Sequence, residues 1–120
     1  MLDQSIERKF IETYNVEDYE VLTDTGYEDI ISSNKTIEYI IYEVILEDNN
    51  TIKCADTHIF IDSNNKQVFA KDSKGVLVKT KYGNKRVISV TKSTHKDNMY
   101  DLSVNSNNHT YYTNDILSHN

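Results

Sequence analysis

Met99-Tyr100-Asp101-Leu102-Ser103-Val104, Asn108-His109-Thr110-Tyr111-Tyr112-Thr113-Asn114 and Ile116-Leu117-Ser118-His119-Asn120 occupy the last stretch of this 120-residue sequence. Residues 100–104 and 110–112 read as short strands. Between them stands Asn105-Ser106-Asn107-Asn108, side chains that tolerate left-handed backbone and make Asx turns. The end is two apolar residues, a small one, then His119-Asn120. An Asn side-chain amide can attack its own backbone carbonyl, closing a five-membered succinimide and cutting the bond to whatever follows. A neighbouring imidazole can polarise that carbonyl or protonate the departing amine. His-Asn occurs by chance in many proteins and a terminal dipeptide otherwise frays; its position at the last residue is what gives it weight.

Outward from this stretch, the chain is mostly β in character. Ile, Val and Thr supply 33 of 120 residues, and β-branched side chains favour the pleated backbone over the helix. Strands are expected at 19–23, 37–46, 51–54, 66–70, 76–80, 86–92, 100–104 and 110–112, punctuated by Thr25-Gly26, Glu47-Asp48-Asn49-Asn50, Ser63-Asn64-Asn65 and Tyr82-Gly83-Asn84. Only the start has a helical period: Ile6, Phe10 and Tyr14 recur every fourth residue, with Asp3 or Ser5 placed to cap a first turn. Many short strands with tight turns predict an all-β sandwich or a curled, barrel-like fold with one short N-terminal helix.

The length suits one domain, and 38% hydrophobic with 27% charged residues and a mean hydropathy of −0.62 is globular rather than disordered. No run of apolar residues is long enough to span a membrane, and the N-terminus has neither a basic nor an apolar signal region. Residues 1–60 carry fourteen acids and four bases, while residues 61–120 carry five acids and nine bases. This polarity can steer a charged partner or simply reflect solvated loops. The bases of the second half alternate with apolar residues, as pleating onto an outer face requires, so nucleic-acid binding is not expected. The lone Cys54 excludes an intramolecular disulfide framework and suits a reducing compartment, the cytosol by default.

Cys54, in Thr51-Ile52-Lys53-Cys54, is expected to be a buried, inert strand residue rather than a nucleophile. Cys54-x-x-x-His58 with His95 or His109 lacks the paired spacing of a zinc module, and Gly26, Gly75 and Gly83 form no phosphate-cradling loop. His58 by itself reads as a core histidine, Asp101 as an exposed strand acid, and His109 as a turn residue.

Taken together, the three closing segments resemble the C-terminal splicing blocks of inteins, where a "YDL-V" strand, an "H-Y/F" strand and a terminal "HN" recur at nearly this spacing. Tyr42-Glu43-Val44-Ile45-Leu46-Glu47-Asp48 and Thr51-Ile52-Lys53-Cys54-Ala55-Asp56-Thr57-His58-Ile59-Phe60 are similar to the intein block that carries a catalytic histidine. Phe69-Ala70-Lys71-Asp72-Ser73-Lys74-Gly75 is similar to the connector after it. The likeness runs from Tyr19 to Asn120. The family's opening block, with its Cys or Ser nucleophile in a "DT-I-T--G" strand pair, has no counterpart after Met1.

The resemblance implies a HINT-type horseshoe over residues 1–120, a single splicing domain without a homing endonuclease, forming the C-terminal fragment of an atypically split intein. It implies as partners a short N-terminal fragment carrying the Cys or Ser nucleophile and the flanking extein polypeptides. It also implies a self-processing, single-turnover reaction that needs no cofactor or metal. His58 would polarise the first scissile amide, and Asp101 would assist the first nucleophile and the transesterification. His109 would orient the Asn amide, His119 support the leaving group and Asn120 cyclise; the residue after Asn120 would be Cys, Ser or Thr. Where the family commonly has Thr three residues before its block histidine, this chain has Ala55, with Asp56 and Thr57 beside it. Two other readings are a self-cleaving HINT-type processing module and a non-catalytic β binding module.

Overall fold

The computed structural model describes residues 10–15, 19–104 and 110–119. Within them run ten strands: β1 (Phe10–Asn15), β2 (Glu20–Thr23), β3 (Gly26–Leu46), β4 (Thr51–Ala55), β5 (Ile59–Ile61), β6 (Gln67–Phe69), β7 (Leu77–Thr80), β8 (Gly83–Val104), β9 (Thr110–Thr113) and β10 (Ile116–His119), with a 3₁₀ turn at Ala70–Asp72. The all-β expectation holds. All the pairings are antiparallel.

β3 and β8 pair along nearly their whole length, from Ile30↔Val104 to Leu46↔Val87. β1, β2 and β4 add to β3, while β7 adds to β8 and leads through β10 to β5 and β6. Straight strands of 21 and 22 residues would each measure about 70 Å, yet the longest dimension of the molecule is 37 Å. The strands therefore bend, and the ladder shows where: its register shifts between Ile30/Ser32, Lys35/Glu38, Ile40/Tyr42 and Ile45/Leu46. A bulge inserts an unpaired residue, increases local twist and bends the strand that carries it.

These shifts also reset which face is buried. Along β3 the buried positions are Ser32, Asn34 and Thr36, then Ile41, then Val44 and Leu46, so the parity changes on each side of the Ile40/Tyr42 shift. The first three are polar and find partners within the sheet. Asn34 Nδ2 donates to Ser103 Oγ at 3.1 Å, Ser32 Oγ to Asn34 Oδ1 at 3.4 Å, and Met99 N to Thr36 Oγ1 at 2.9 Å. The apolar core lies at the other end, where Val44, Leu46, Ile52, Cys54, Phe60, Ala70, Val78, Val87 and Ile116 pack together.

The expected N-terminal helix is corrected by the structure over its described part. Phe10 and Tyr14 belong to strand β1, paired with Thr36 and Ser33 of β3; Asp3, Ser5 and Ile6 lie outside the described residues. A spacing of four residues returns to the same face of a helix, but as an even number it does the same on a strand. The open edge of β3 selects the strand.

Two hairpins use glycine in the left-handed region: Gly26 at φ 105° closes β2–β3 and Gly83 at φ 101° closes β7–β8. The β9–β10 hairpin manages without it. Asn114 (φ 50°) and Asp115 (φ 68°) are the two loop residues between Thr113 and Ile116, the left-handed pair of a type I′ turn. Asn114 Nδ2 donates to Thr51 O at 2.6 Å, Asn50 Nδ2 donates to Asn114 O at 2.6 Å, and Lys81 N donates to Asp115 O at 2.8 Å. The turn is thereby fastened to both neighbouring loops. Asp115→Gly is expected to raise stability by about 0.5–1 kcal/mol by relieving the left-handed conformation. Asp115→Val is expected to lower it by about 1–2 kcal/mol, both read as shifts of the urea midpoint at constant slope.

Candidate functional site

The short strand β10 is held on three sides. It pairs with β9 through four residue pairs, with β5 through Ser118↔Phe60 and His119↔Ile59, and with β7 through Ile116↔Thr80. Ile116 and Leu117 are buried, as is Ser118 at 0% exposure. Apolar burial thus fixes the backbone that runs up to His119.

His58 stands at the mouth of β5. Its N–H donates to Ala55 O at 3.1 Å and its carbonyl accepts from Ala70 N at 2.8 Å, so the backbone is pinned on both sides of the side chain. The ring sits edge-on to Phe60, with centroids 5.3 Å apart and an interplanar angle of 79°. Nε2 lies 3.0 Å from Ser118 Oγ, and Ser118 Oγ lies 2.6 Å from Thr113 Oγ1. Two segments sixty residues apart in sequence are therefore joined by one side-chain hydrogen bond.

Of the five residues singled out from the sequence, the structure describes two side chains in this region, and it brings their segments together. His58 contacts β10, and His119 is half-buried on β10, in register with Ile59 and Thr110. Alternation along a strand sends His119 to the face opposite Ser118. Asp101 is placed by its backbone alone, in register with Asn34. The next residue, Leu102, donates its N–H to Tyr111 Oη at 3.2 Å, which ties this part of β8 to β9. His109 and Asn120 lie outside the described residues.

Beside His58 opens a cleft of about 180 Å³, with Thr36, Tyr39, Ala55, Met99, Tyr111 and Thr113 among its walls. Cys54 also faces it. Burial pushes that thiol from an ordinary 9.0 up to about 12, as expected for an inert buried cysteine. Asp56 Oδ1 is buried without a hydrogen-bond partner. Among the described residues no cluster of His, Cys, Asp or Glu could hold a metal ion, and no helix is long and apolar enough to cross a membrane. His109 is not among the residues described.

The hydroxyls of Ser118 and Thr113 were not singled out by sequence. The available signal was slight: one Ser following Ile116-Leu117 in a strand whose other inward residue is apolar. A buried hydroxyl there must find a partner, and His58 is one of its partners.

Comparison with known proteins now adds to this geometry. No family model matches the chain, and no curated protein does. Solved structures match well. The VidaL intein in its selenomethionine variant superposes with a TM-score of 0.78 at 28% identity, over 83% of this chain and 68% of that one. The gp41-1 intein gives 0.73 at 27% identity, over 84% and 79%. A consensus engineered intein, Cat, with an atypical split site gives 0.64 at 26% identity, over 93% and 86%. The bent all-β architecture of this chain is the HINT architecture, and its fold is that of the inteins.

The protonated Cys54 has a consequence for stability. The folded chain holds this proton more tightly than the unfolded chain, so the contribution is fully present below pH 9 and is withdrawn as pH rises through about 12. Ellman's reagent at pH 8 is expected to label the folded chain slowly and the urea-unfolded chain at once. Prompt labelling of the folded chain would show that the cleft admits reagent to the thiol.

Proposed function

We propose that this chain acts in protein trans-splicing, as the larger C-terminal portion of a split intein that captures a short N-terminal fragment starting with Cys or Ser. The observation that carries the reading is the 3.0 Å contact between His58 Nε2 and Ser118 Oγ. It sets the histidine proposed to act on the first scissile bond against the strand that leads to Asn120. The likeness to an intein with an atypical split site supports division into unequal fragments, and the open cleft beside His58 offers the fragment a place next to the histidine.

In this reading the fragment's first residue attacks the carbonyl of the preceding peptide bond, giving a thioester or ester and freeing its amine. His58 polarises and twists that amide, and Asp101 assists the nucleophile. The acyl group passes to a Cys, Ser or Thr following Asn120. Asn120 then closes its succinimide, with His109 orienting its amide and His119 protonating the departing amine. The new ester or thioester rearranges to an amide, leaving the exteins joined. The fragment and the residue after Asn120 supply the two nucleophiles, and the chain's own residues supply the rest of this chemistry in one turnover. A free, buried Cys54 supports a reducing compartment such as the cytosol.

Mixing the chain, extended by a short Cys-started flank, with such a fragment is expected to give a ligated product on a gel. Neither component should splice alone; splicing by this chain without a partner would remove the fragment reading. Asn120→Ala is expected to stop C-terminal release while a branched intermediate accumulates. His58→Ala is expected to slow thiol-induced N-terminal cleavage on the order of 10²-fold to 10³-fold, the usual cost of losing a donor at a developing charge, with a smaller effect on Asn120 cyclisation. Thiolysis unchanged by that substitution would take His58 out of the first step.

The exposed acids Glu12, Glu20, Asp24 and Asp29 lie on or between β1, β2 and β3, and they support a basic partner. Association measured by stopped flow is expected to slow as salt rises past the range where the Debye length falls below about 10 Å. A salt-independent rate would remove this electrostatic part.

A further inference from the structure

Three hairpins in this fold begin with threonine, and one of them is wired differently. Thr23 donates its hydroxyl to Gly26 O at 2.7 Å, and Thr80 donates to Gly83 O at 2.6 Å. Each closes its own turn onto the carbonyl three residues on. Thr113 occupies the same place in the β9–β10 hairpin, but the equivalent carbonyl, Ile116 O, is 3.5 Å away. Its short contact is with Ser118 Oγ, at 2.6 Å. A hydroxyl that elsewhere serves the turn is directed here to Ser118, the residue that contacts His58.

Counting protons shows what this does to the ring. Ser118 Oγ has one proton, two lone pairs and three contacts: His58 Nε2 at 3.0 Å, Thr113 Oγ1 at 2.6 Å and Ile116 O at 3.3 Å. The carbonyl can only accept. If His58 carries its proton on Nε2, the ring and Thr113 both donate to Ser118, and Ser118 donates to Ile116 O, so all three contacts hold a proton. If the proton sits on Nδ1, Ser118 must spend its single proton on Nε2, and its contact with Ile116 O is left without one. At 0% exposure of Ser118, bulk solvent cannot make up the difference.

We propose that Ser118 and Thr113 are positioning residues that hold His58 in the Nε2–H tautomer, leaving Nδ1 as the nitrogen that accepts the nucleophile's proton and, once protonated, donates to the scissile amide. Neither hydroxyl touches a reacting atom; each acts through the imidazole. The bearing on splicing rests on the function proposed above, whereas the hydrogen-bond assignment stands by itself. Under that function, the strand that leads to the C-terminal bond also sets the protonation pattern of the histidine proposed for the N-terminal bond.

The test is two-bond 1H–15N correlation NMR on the full chain labelled with 15N-histidine. The expected result is a pyrrole-type shift at His58 Nε2 and a pyridine-type shift at Nδ1. In Thr113→Val and Ser118→Ala the two shifts should move toward each other, while Thr113→Ser, which keeps the hydroxyl, restores the separation. Unchanged backbone amide shifts outside β9 and β10 confirm that the variants fold. A wild-type ring protonated on Nδ1, or nitrogen shifts unmoved in both hydroxyl-deleted variants, would overturn the assignment. With a Cys-started partner fragment, Thr113→Val should also slow thiolysis about tenfold through lost orientation. Unchanged thiolysis in a variant whose tautomer has shifted would overturn the link to the reaction. A wild-type chain that shows the tautomer but no thiolysis with the fragment would sink the splicing reading and leave the hydroxyl assignment in place.

Discussion

The ladder between β3 and β8 carries the rest of the sheet. Five strands join it directly or through one neighbour: β1, β2 and β4 on β3, β7 on β8, and β10 through β7, with β9 and β5 beyond it. Because strands of this length must bend to fit a molecule 37 Å long, the bulges along them are structural requirements. The bulges turn successive segments to new directions, and around Ile41 they exchange which residues of β3 face inward. One pair of strands thereby supplies a polar seam at Ser32, Asn34 and Thr36 and an apolar core at Val44 and Leu46.

That division positions the site. The apolar end anchors Phe60 and Ile116 in one cluster, and both residues lie within two positions of the contact between His58 and Ser118. The polar seam lies beneath the part of β8 that carries Asp101, with Asn34 opposite it. The Leu102 to Tyr111 hydrogen bond then joins this segment to the β9–β10 hairpin. The candidate site lies at the boundary, where a cleft is lined by Thr36 from the seam and by Ile52 and Cys54 from the core. Polar groups at such a boundary are strengthened by low local dielectric yet remain within reach of an incoming chain.

Local pattern made much of this fold legible from sequence. The strand character of residues 37–46, 51–54, 76–80 and 110–112 follows from β-branched residues flanked by Asn, Asp and Gly, and the structure has strands at each. What pattern could not give was continuity. Residues 26–46 form one strand, but its bulges change the parity of burial, so no single period of two survives along it. β10 was missed because Ile116-Leu117-Ser118 is too short to show alternation, and β1 because a four-residue spacing fits helix and strand alike. At the site, His58 and His119 stood out through resemblance to the intein blocks. Ser118 and Thr113 did not, since a hydroxyl shows its role only when its partner, sixty residues away, is brought beside it.

Four residues of β10 could not hold geometry alone, since an isolated two-stranded hairpin is marginal in water. Its order is borrowed. Ile116 is locked into the core cluster, the I′ turn before it is fastened to the loops at Asn50 and Lys81, and Ser118 is bonded to a histidine whose own backbone is pinned at Ala55 and Ala70. A displacement of about 1 Å at a reacting group can cost on the order of a hundredfold in rate, so these remote anchors matter to any chemistry at the end of the strand. The same argument explains why a polar side chain is worth burying at Ser118. Alanine would pack there at no desolvation cost, but it would leave the β5 and β10 segments related by backbone pairing alone. The hydroxyl adds a directional constraint on the imidazole, and direction is what a proton-handling group requires.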